Sequence, residues 1–217
     1  MIKYVVFDFD GTIANTLRFS FQKFLEIAKL LQIDDLTDKE IISEIRSKSY
    51  QELLKGKFKK SWLKLPVVIG LIKNMQIELE KTIEKVKLFP GIKKILRGLK
   101  KNGFKLAIIS SNRKDSIDKF IRSNKIEFFD FVHGKTDLFG KADYLEKFIR
   151  DFKLKKTEVI YVGDEIRDIK ACQKAGIKMI GVSWGLHTVK ALKRNGVDYL
   201  VNKPEELLKI INRQIIK

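Results

Sequence analysis

Three kinds of apolar pattern follow one another along the chain. Ile2 to Phe7 is a β-branched and aromatic run bounded by Asp8, Asp10 and Gly11, the mark of a buried strand that delivers polar side chains at its end. From Thr16 to about Lys87 the spacing turns helical. Phe21, Phe24, Leu25, Ala28 and Leu31 share one face, Thr37 and Glu40 have capping-box spacing, and Pro66 suits an early position in a long helix ending near Val86. At Phe89-Pro90-Gly91 the helical block stops, and short apolar runs then alternate with amphipathic segments. Strands are expected at Lys105 to Ile109, Phe129 to Val132, Glu158 to Val162, Lys178 to Val182 and Tyr199 to Val201, with helices between them, including one over Tyr144 to Phe152 and one starting near Ile166.

Such alternation predicts an α/β fold: a Rossmann-like, mainly parallel sheet covered on both faces, with ligands at the carboxyl ends of the strands near a switch point. The first strand then belongs with the later strands. The expected organisation is a discontinuous core, residues 1–15 and 89–217, interrupted by an all-helical cap over residues 16–88. No internal repeat or low-complexity linker breaks the pattern.

Composition narrows the setting. A chain of 217 residues, 44% of them hydrophobic, can bury a real core. The formal net charge of +18 favours anionic partners, either a small phosphate or a nucleic acid. Lysines such as Lys93, Lys94, Lys100 and Lys101 nonetheless read as solvated helix faces. Lys55 to Lys64 interleaves Lys57, Lys59 and Lys60 with Phe58 and Trp62, which suits a nucleic-acid strand in composition but also a solvated cap edge with two aromatic anchors. Cys172 is the single cysteine, so no internal disulfide or cysteine-based zinc cluster forms, and a buried structural thiol in a reducing compartment is the expectation. No basic signal-peptide region precedes Ile2, and runs such as Val67 to Leu71 fall far short of the roughly twenty residues of a membrane span. A soluble cytoplasmic protein without membrane contact is expected.

The chemistry gathers at strand ends: Asp8-Phe9-Asp10-Gly11-Thr12, Ser110-Ser111-Asn112, and Gly163-Asp164 with Asp168. In a parallel sheet all three converge on one edge. A carboxylate nucleophile beside a second carboxylate suits phosphoryl transfer, the first attacking phosphorus and the second protonating the leaving oxygen and later activating water. Further acidic residues suit a hard cation such as magnesium, and a hydroxyl and a lysine would hold the phosphate oxygens. The structural alternatives are an acidic turn closing the first strand and aspartates capping the helix near Ile166. Thr12, Ser111 and Asn112 are the remaining candidates for phosphate contact.

In this order the clusters resemble the motifs of the haloacid dehalogenase superfamily, Asp8-Phe9-Asp10-Gly11-Thr12 looking like the first. The resemblance implies that Asp8 is the nucleophile and Asp10 the general acid/base. It makes Ser110 the hydroxyl of the second motif, Lys141 the lysine of the third, and Asp164 with Asp168 the fourth. It further implies a Mg2+ site in which Asp8 and Asp164 bind through side chains, Asp10 through its carbonyl and Asp168 through water. In relatives a proline often follows the lysine, whereas Ala142 stands here, and Lys135 is the rival. The helical insertion is similar to the cap of the phosphoglycolate phosphatase-like subfamily, closing on hinges at Asn15-Thr16 and Phe89-Pro90-Gly91. The implied activity is hydrolysis of a small phosphorylated metabolite. A phosphosugar mutase of the same superfamily and a basic nucleic-acid-binding or regulatory protein on this fold are the alternatives. Asp10 argues against a dehalogenase, which has no leaving alcohol to protonate. Trp184 to Thr188 either lines the site entrance or holds a packed tryptophan beside a surface histidine.

Overall fold

Every residue of the first strand is buried, as a parallel sheet covered on both faces requires. The computed structural model describes residues 1–31, 33, 35–55, 65–135 and 140–213. Strands β1 (Tyr4–Phe7), β2 (Lys105–Ile109), β3 (Phe131–His133), β4 (Val159–Gly163), β5 (Lys178–Val182) and β6 (Tyr199–Val201) form one sheet in the order β3-β2-β1-β4-β5-β6, every pair parallel. The order reverses between β1 and β4. Connections leave those two strands in opposite directions, so a crevice opens at their carboxyl ends.

The helices are α1 (Leu17–Leu30), α2 (Asp38–Ser47), α3 (Tyr50–Lys55), α4 (Leu65–Thr82), α5 (Ile92–Lys101), α6 (Lys114–Asn124), α7 (Lys141–Asp151), α8 (Ile166–Ala175), α9 (Val189–Arg194) and α10 (Glu206–Arg213). Side chains alternate between the two faces of the sheet. Val5, Phe7, Leu106, Ile108, Ile160 and Val162 pack under α5, α6 and α10, while Tyr4, Val6, Ala107, Ile109, Val159 and Tyr161 pack under α7 and α8. This two-sided burial holds the strand ends, and the polar residues that follow them, in fixed positions. Among the described residues no helix is long and apolar enough to cross a membrane.

The inserted helices have their own local logic. Thr37 caps α2: its hydroxyl accepts from the Glu40 amide at 3.3 Å and the Glu40 carboxylate accepts from the Thr37 amide at 2.9 Å. Of the expected α1 face, Ala28 and Leu31 are buried and Phe21, Phe24 and Leu25 half-buried. α4 ends at Thr82 and tightens into a 3-10 turn over Ile83–Lys85. There Leu79 and Ile83 sink into the same apolar layer as Phe9 and Phe120. The two chain crossings lie side by side, with the Asn15 amide donating to Lys87 O (2.9 Å) and the Phe89 amide to Ile13 O (3.1 Å).

Three strands start later than expected. β1 starts at Tyr4 instead of Ile2, and β4 starts at Val159 because Lys156–Glu158 form a 3-10 turn. β3 begins two residues late. Phe129 turns inward to meet Phe7 edge-on at 6.4 Å, and the Asp130 carboxylate takes the Leu106 amide at 2.8 Å, so ladder pairing starts only at Phe131.

Candidate active site

The β1–β4 ladder continues one residue past β1, with the Asp8 amide donating to Val162 O at 2.8 Å. Asp8 is thereby fixed at the floor of the crevice, 1% exposed, its Oδ1 accepting from the Phe9 amide at 2.8 Å. The chain then turns sharply at Gly11, where φ is +73° and an added Cβ would lie 2.2 Å from Asp164 Oδ2. Only glycine meets both the left-handed backbone and the close approach.

Asp164 follows β4 and is held on both carboxylate oxygens. Thr12 Oγ1 donates to Oδ1 at 2.9 Å and the Leu186 amide to Oδ2 at 2.7 Å. Thr12, expected among the phosphate-contacting groups, is fully buried with its hydroxyl committed to this carboxylate. Asp168 sits one turn into α8 and serves two partners: its Oδ2 accepts from the Glu165 amide at 3.2 Å at the helix start, and its Oδ1 meets Lys141 Nζ at 2.6 Å. Asp168 therefore shares in capping α8 and also faces Lys141, whereas Glu165, not Asp164, is the residue that precedes the helix.

Lys141 is 4% exposed, with Nζ also 3.1 Å from Asp8 Oδ2. α7 starts at Lys141, three residues before the expected Tyr144, which puts the lysine on the first turn of a helix packed against α8. The rival Lys135 is exposed, and its backbone amide donates to Asn112 O at 2.6 Å.

The end of β2 supplies the other wall. Ser110 Oγ accepts from the Asn112 amide at 3.1 Å, and Asn112 Nδ2 donates to Asp10 Oδ2 at 3.1 Å. Ser111 Oγ accepts from Arg167 Nη2 at 3.3 Å, and the same nitrogen lies 2.7 Å from Glu165 Oε1. Arg167 and Glu165 escaped the sequence reading because residues between two motif aspartates carry no spacing signal of their own.

Packing this many carboxylates together shifts their titration. Burial, reinforced by Glu165, Asp8 and Asp168, raises Asp164 well above the ordinary carboxylate range. Burial also raises Asp8, against the pull of Lys141. Asp10 is pushed up to about 6 by burial and the neighbouring Asp8, with the Asn112 hydrogen bond opposing. Burial works against the Lys141 ammonium, but Asp168 and Asp8 outweigh it and hold its pKa above the usual value. The Lys141 ammonium meets two of the three buried carboxylates, Asp8 and Asp168, and the Arg167 charge acts on Asp8 as well, while the donors to Asp164, Thr12 and the Leu186 amide, are neutral, an arrangement that leaves room for a further cation.

Asp8, Asp164 and Asp168 each offer an oxygen within 4.8 Å of the others. That spacing lets one hard, oxygen-binding ion be held between the three carboxylates. The all-oxygen donor set suits such an ion better than zinc. Asp8, Asp10, Ser110, Lys141, Asp164 and Asp168 are thus drawn from four separate segments to one crevice. The Trp184 to Thr188 loop borders it: Trp184 Nε1 donates to Thr12 O at 3.2 Å, and His187, only 4% exposed, is not the surface histidine that one reading of this loop allowed. Cys172 is buried, its thiol pushed well up chiefly by burial, as a structural thiol would be. Residues 56–64 of the basic, aromatic stretch lie outside the described residues.

Comparison with known proteins places this geometry among relatives. A family model described as haloacid dehalogenase-like hydrolase matches residues 5–182. A phosphoglycolate phosphatase from Synechococcus elongatus is 26% identical over 213 residues, covering 96% of this chain and 97% of its own. Pyrophosphatase PpaX from Bacillus mycoides is 26% identical over 216 residues, covering 98% of each chain. Among solved structures, a haloacid dehalogenase-like hydrolase from Streptococcus pneumoniae superposes with a TM-score of 0.75 at 22% identity, covering 97% of this chain and 98% of that one.

Proposed function

Because the chain belongs to the haloacid dehalogenase-like hydrolase family, we propose that it is a magnesium-dependent phosphatase acting on a small phosphate compound through an aspartyl-phosphate on Asp8. The observation that carries this reading is the meeting of Asp8, Asp164 and Asp168 around Lys141 at the switch point of the sheet, with Asp10 beside them. In the first step Asp8 attacks phosphorus, the bond to the leaving oxygen breaks, and Asp10 gives that oxygen its proton. Asp10, raised to about 6, holds a proton more readily than an ordinary carboxylate, as a general acid needs. In the second step Asp10 takes a proton from water, which attacks the phosphoryl group and frees Asp8. Bound magnesium would neutralise phosphate charge and offset the repulsion between substrate and the carboxylates, with Asp8, Asp164 and Asp168 holding it. Lys141 and Ser110 would orient the transferred group.

Residues 16–88 act in this reading as a cap that closes over the crevice, hinged at Asn15-Thr16 and Phe89-Pro90-Gly91, and choose the leaving group. The names of the relatives point to two substrates, phosphoglycolate and a pyrophosphate. The single cysteine fits a reducing, cytoplasmic setting. The test is phosphate release over a panel containing both substrates and a range of phosphorylated metabolites, with Mg2+ and with chelator, beside Asp8→Asn. Release from at least one compound that requires Mg2+ and falls by at least about a thousandfold in Asp8→Asn is expected. Turnover undiminished in that variant would refute the nucleophile and the mechanism with it.

A further inference from the structure

The Asp164 carboxylate is supported from the Trp184 to Thr188 loop, and that loop is in turn gripped by α2. Arg46, in the last turn of α2, directs Nη2 to Gly185 O at 3.5 Å and Nε to Leu186 O at 3.1 Å. The opposite ends of the same two peptide groups face Asp164, with the Leu186 amide donating to Oδ2 at 2.7 Å and the His187 amide to Asp164 O at 3.3 Å. Two consecutive peptides therefore lie between one guanidinium and one aspartate, each accepting from the cation, the first donating to the Asp164 carboxylate and the second to its backbone carbonyl. Hydrogen bonds in such a series polarise one another, and the cation strengthens the Leu186 donor that fixes the carboxylate while the His187 amide steadies the Asp164 backbone. There is no slack in the arrangement, since a Cβ on Gly185 would fall 2.1 Å from Asp164 Cβ.

The rest of the α2 C-terminus is bound to the same region. Its late carbonyls, which have no partner inside the helix, are met from outside: the Thr188 amide donates to Arg46 O at 2.9 Å, Arg194 Nη2 to Ser47 O at 2.9 Å, and the His187 ring nitrogen Nε2 lies 3.2 Å from Lys48 O. The Arg46 guanidinium carbon also lies over the ring of Phe21 in α1, 5.7 Å from the ring centroid, a cation–π contact that adds to its hold.

We propose that Arg46 is a positioning residue for the metal site, acting through the Gly185 and Leu186 peptides to hold Asp164 in its ligating orientation. The inference rests on the function proposed above and deepens it. Arg46 touches neither metal nor phosphate in this scheme. Lysine would serve less well in its place, because its rotating ammonium lacks the rigid planar fork that presents two N–H donors at a fixed spacing.

The test is calorimetric titration of the protein with Mg2+ alone, for the parent, Arg46→Met, Arg46→Lys, Arg194→Met and Asp164→Ala, with hydrogen exchange of the 184–188 amides as a second readout. Loss of a residue that orients a metal ligand weakens metal binding about ten- to a hundredfold, and the dissociation constant of Arg46→Met is expected to rise by at least about tenfold, with Arg46→Lys between it and the parent. The 184–188 amides should exchange faster in both Arg46 variants. Arg194→Met also loosens α2, but touches no peptide that reaches Asp164, and should bind Mg2+ like the parent. Parent-like Mg2+ affinity in Arg46→Met, or an equal loss in Arg194→Met, would overturn the inference while leaving the proposed function standing. If Arg46→Met does not fold, parent-like affinity and exchange in Arg46→Lys would overturn it. A parent that takes up no Mg2+, or Asp164→Ala that takes up as much as the parent, would overturn the metal site itself and the inference with it.

Discussion

Replacing Lys141 with methionine removes a charge from the centre of the site while keeping an unbranched side chain of similar reach in place. The parent ammonium lies 2.6 Å from Asp168 and 3.1 Å from Asp8, both at most 1% exposed, and Asp164 is buried beside them. Three carboxylates would then share the crevice with no ammonium. Breaking a buried ion pair on one side costs about 3–5 kcal/mol, because the remaining charge is stranded. The protein can escape part of that cost by protonating a carboxylate, at about 1.4 kcal/mol for each pH unit above an unfolded pKa of about 3.9. The escape costs nearly 5 kcal/mol at pH 7.5 but only about 1.5 kcal/mol at pH 5, so the variant's deficit should be large at the first and small at the second. At about 2–4 °C per kcal/mol for a chain of this size, the melting temperature should fall by about 10 °C at pH 7.5 and by less than about 5 °C at pH 5. Thermal unfolding followed by circular dichroism in chelator at both pH values reads this directly. A deficit equal at the two pH values, or below about 1 kcal/mol at pH 7.5, would refute the view that stranded carboxylates dominate.

Asp10→Asn should expose the raised Asp10 titration. A carboxyl group lifted from its ordinary value to about 6 stabilises the fold while protonated and loses that contribution as pH rises toward and through 6. The melting temperature of the variant minus that of the parent, in chelator, should therefore increase from pH 4.5 to 7.5, and a flat difference would contradict the shift. Gly11→Ala forces a side chain into a left-handed turn and against the Asp164 carboxylate. It should lose about 1–3 kcal/mol of stability and weaken Mg2+ binding by more than about tenfold in calorimetry, an outcome refuted by parent-like affinity.

Much of this organisation is legible before any coordinates, and the reasons are local. Strands buried on both faces must be continuous apolar runs, so Tyr4 to Phe7, Lys105 to Ile109 and Lys178 to Val182 stand out, and the acids and hydroxyls just beyond such runs mark the functional edge. Boundaries are harder where a polar residue serves the sheet. Asp130 binds the Leu106 amide from outside the ladder and displaces β3 toward His133. Lys141 illustrates the same limit, since a lysine on the first turn of a helix has a loop residue's polarity, and its burial depends on an aspartate 27 positions away. Arg46 left no trace at all. Its partners lie about 140 residues further along the chain, and helical periodicity separates inner from outer faces without naming what a charged residue at the helix end will reach.

The side-by-side crossing of residues 13–15 and 87–89 has an evolutionary consequence. The chain leaves and returns through hydrogen-bonded neighbours, so the length of what lies between them places no demand on the strand ends as long as the Arg46 contacts to Gly185 and Leu186 are kept. Longer excursions carry only a slowly growing closure entropy when their ends already meet. An insertion exchanged at this seam would have to bring its own support for the Gly185 and Leu186 peptides, because Arg46 is part of what is exchanged. Leu79 and Ile83 mark how far such an exchange can run before it begins to strip side chains from the sheet's own apolar layer.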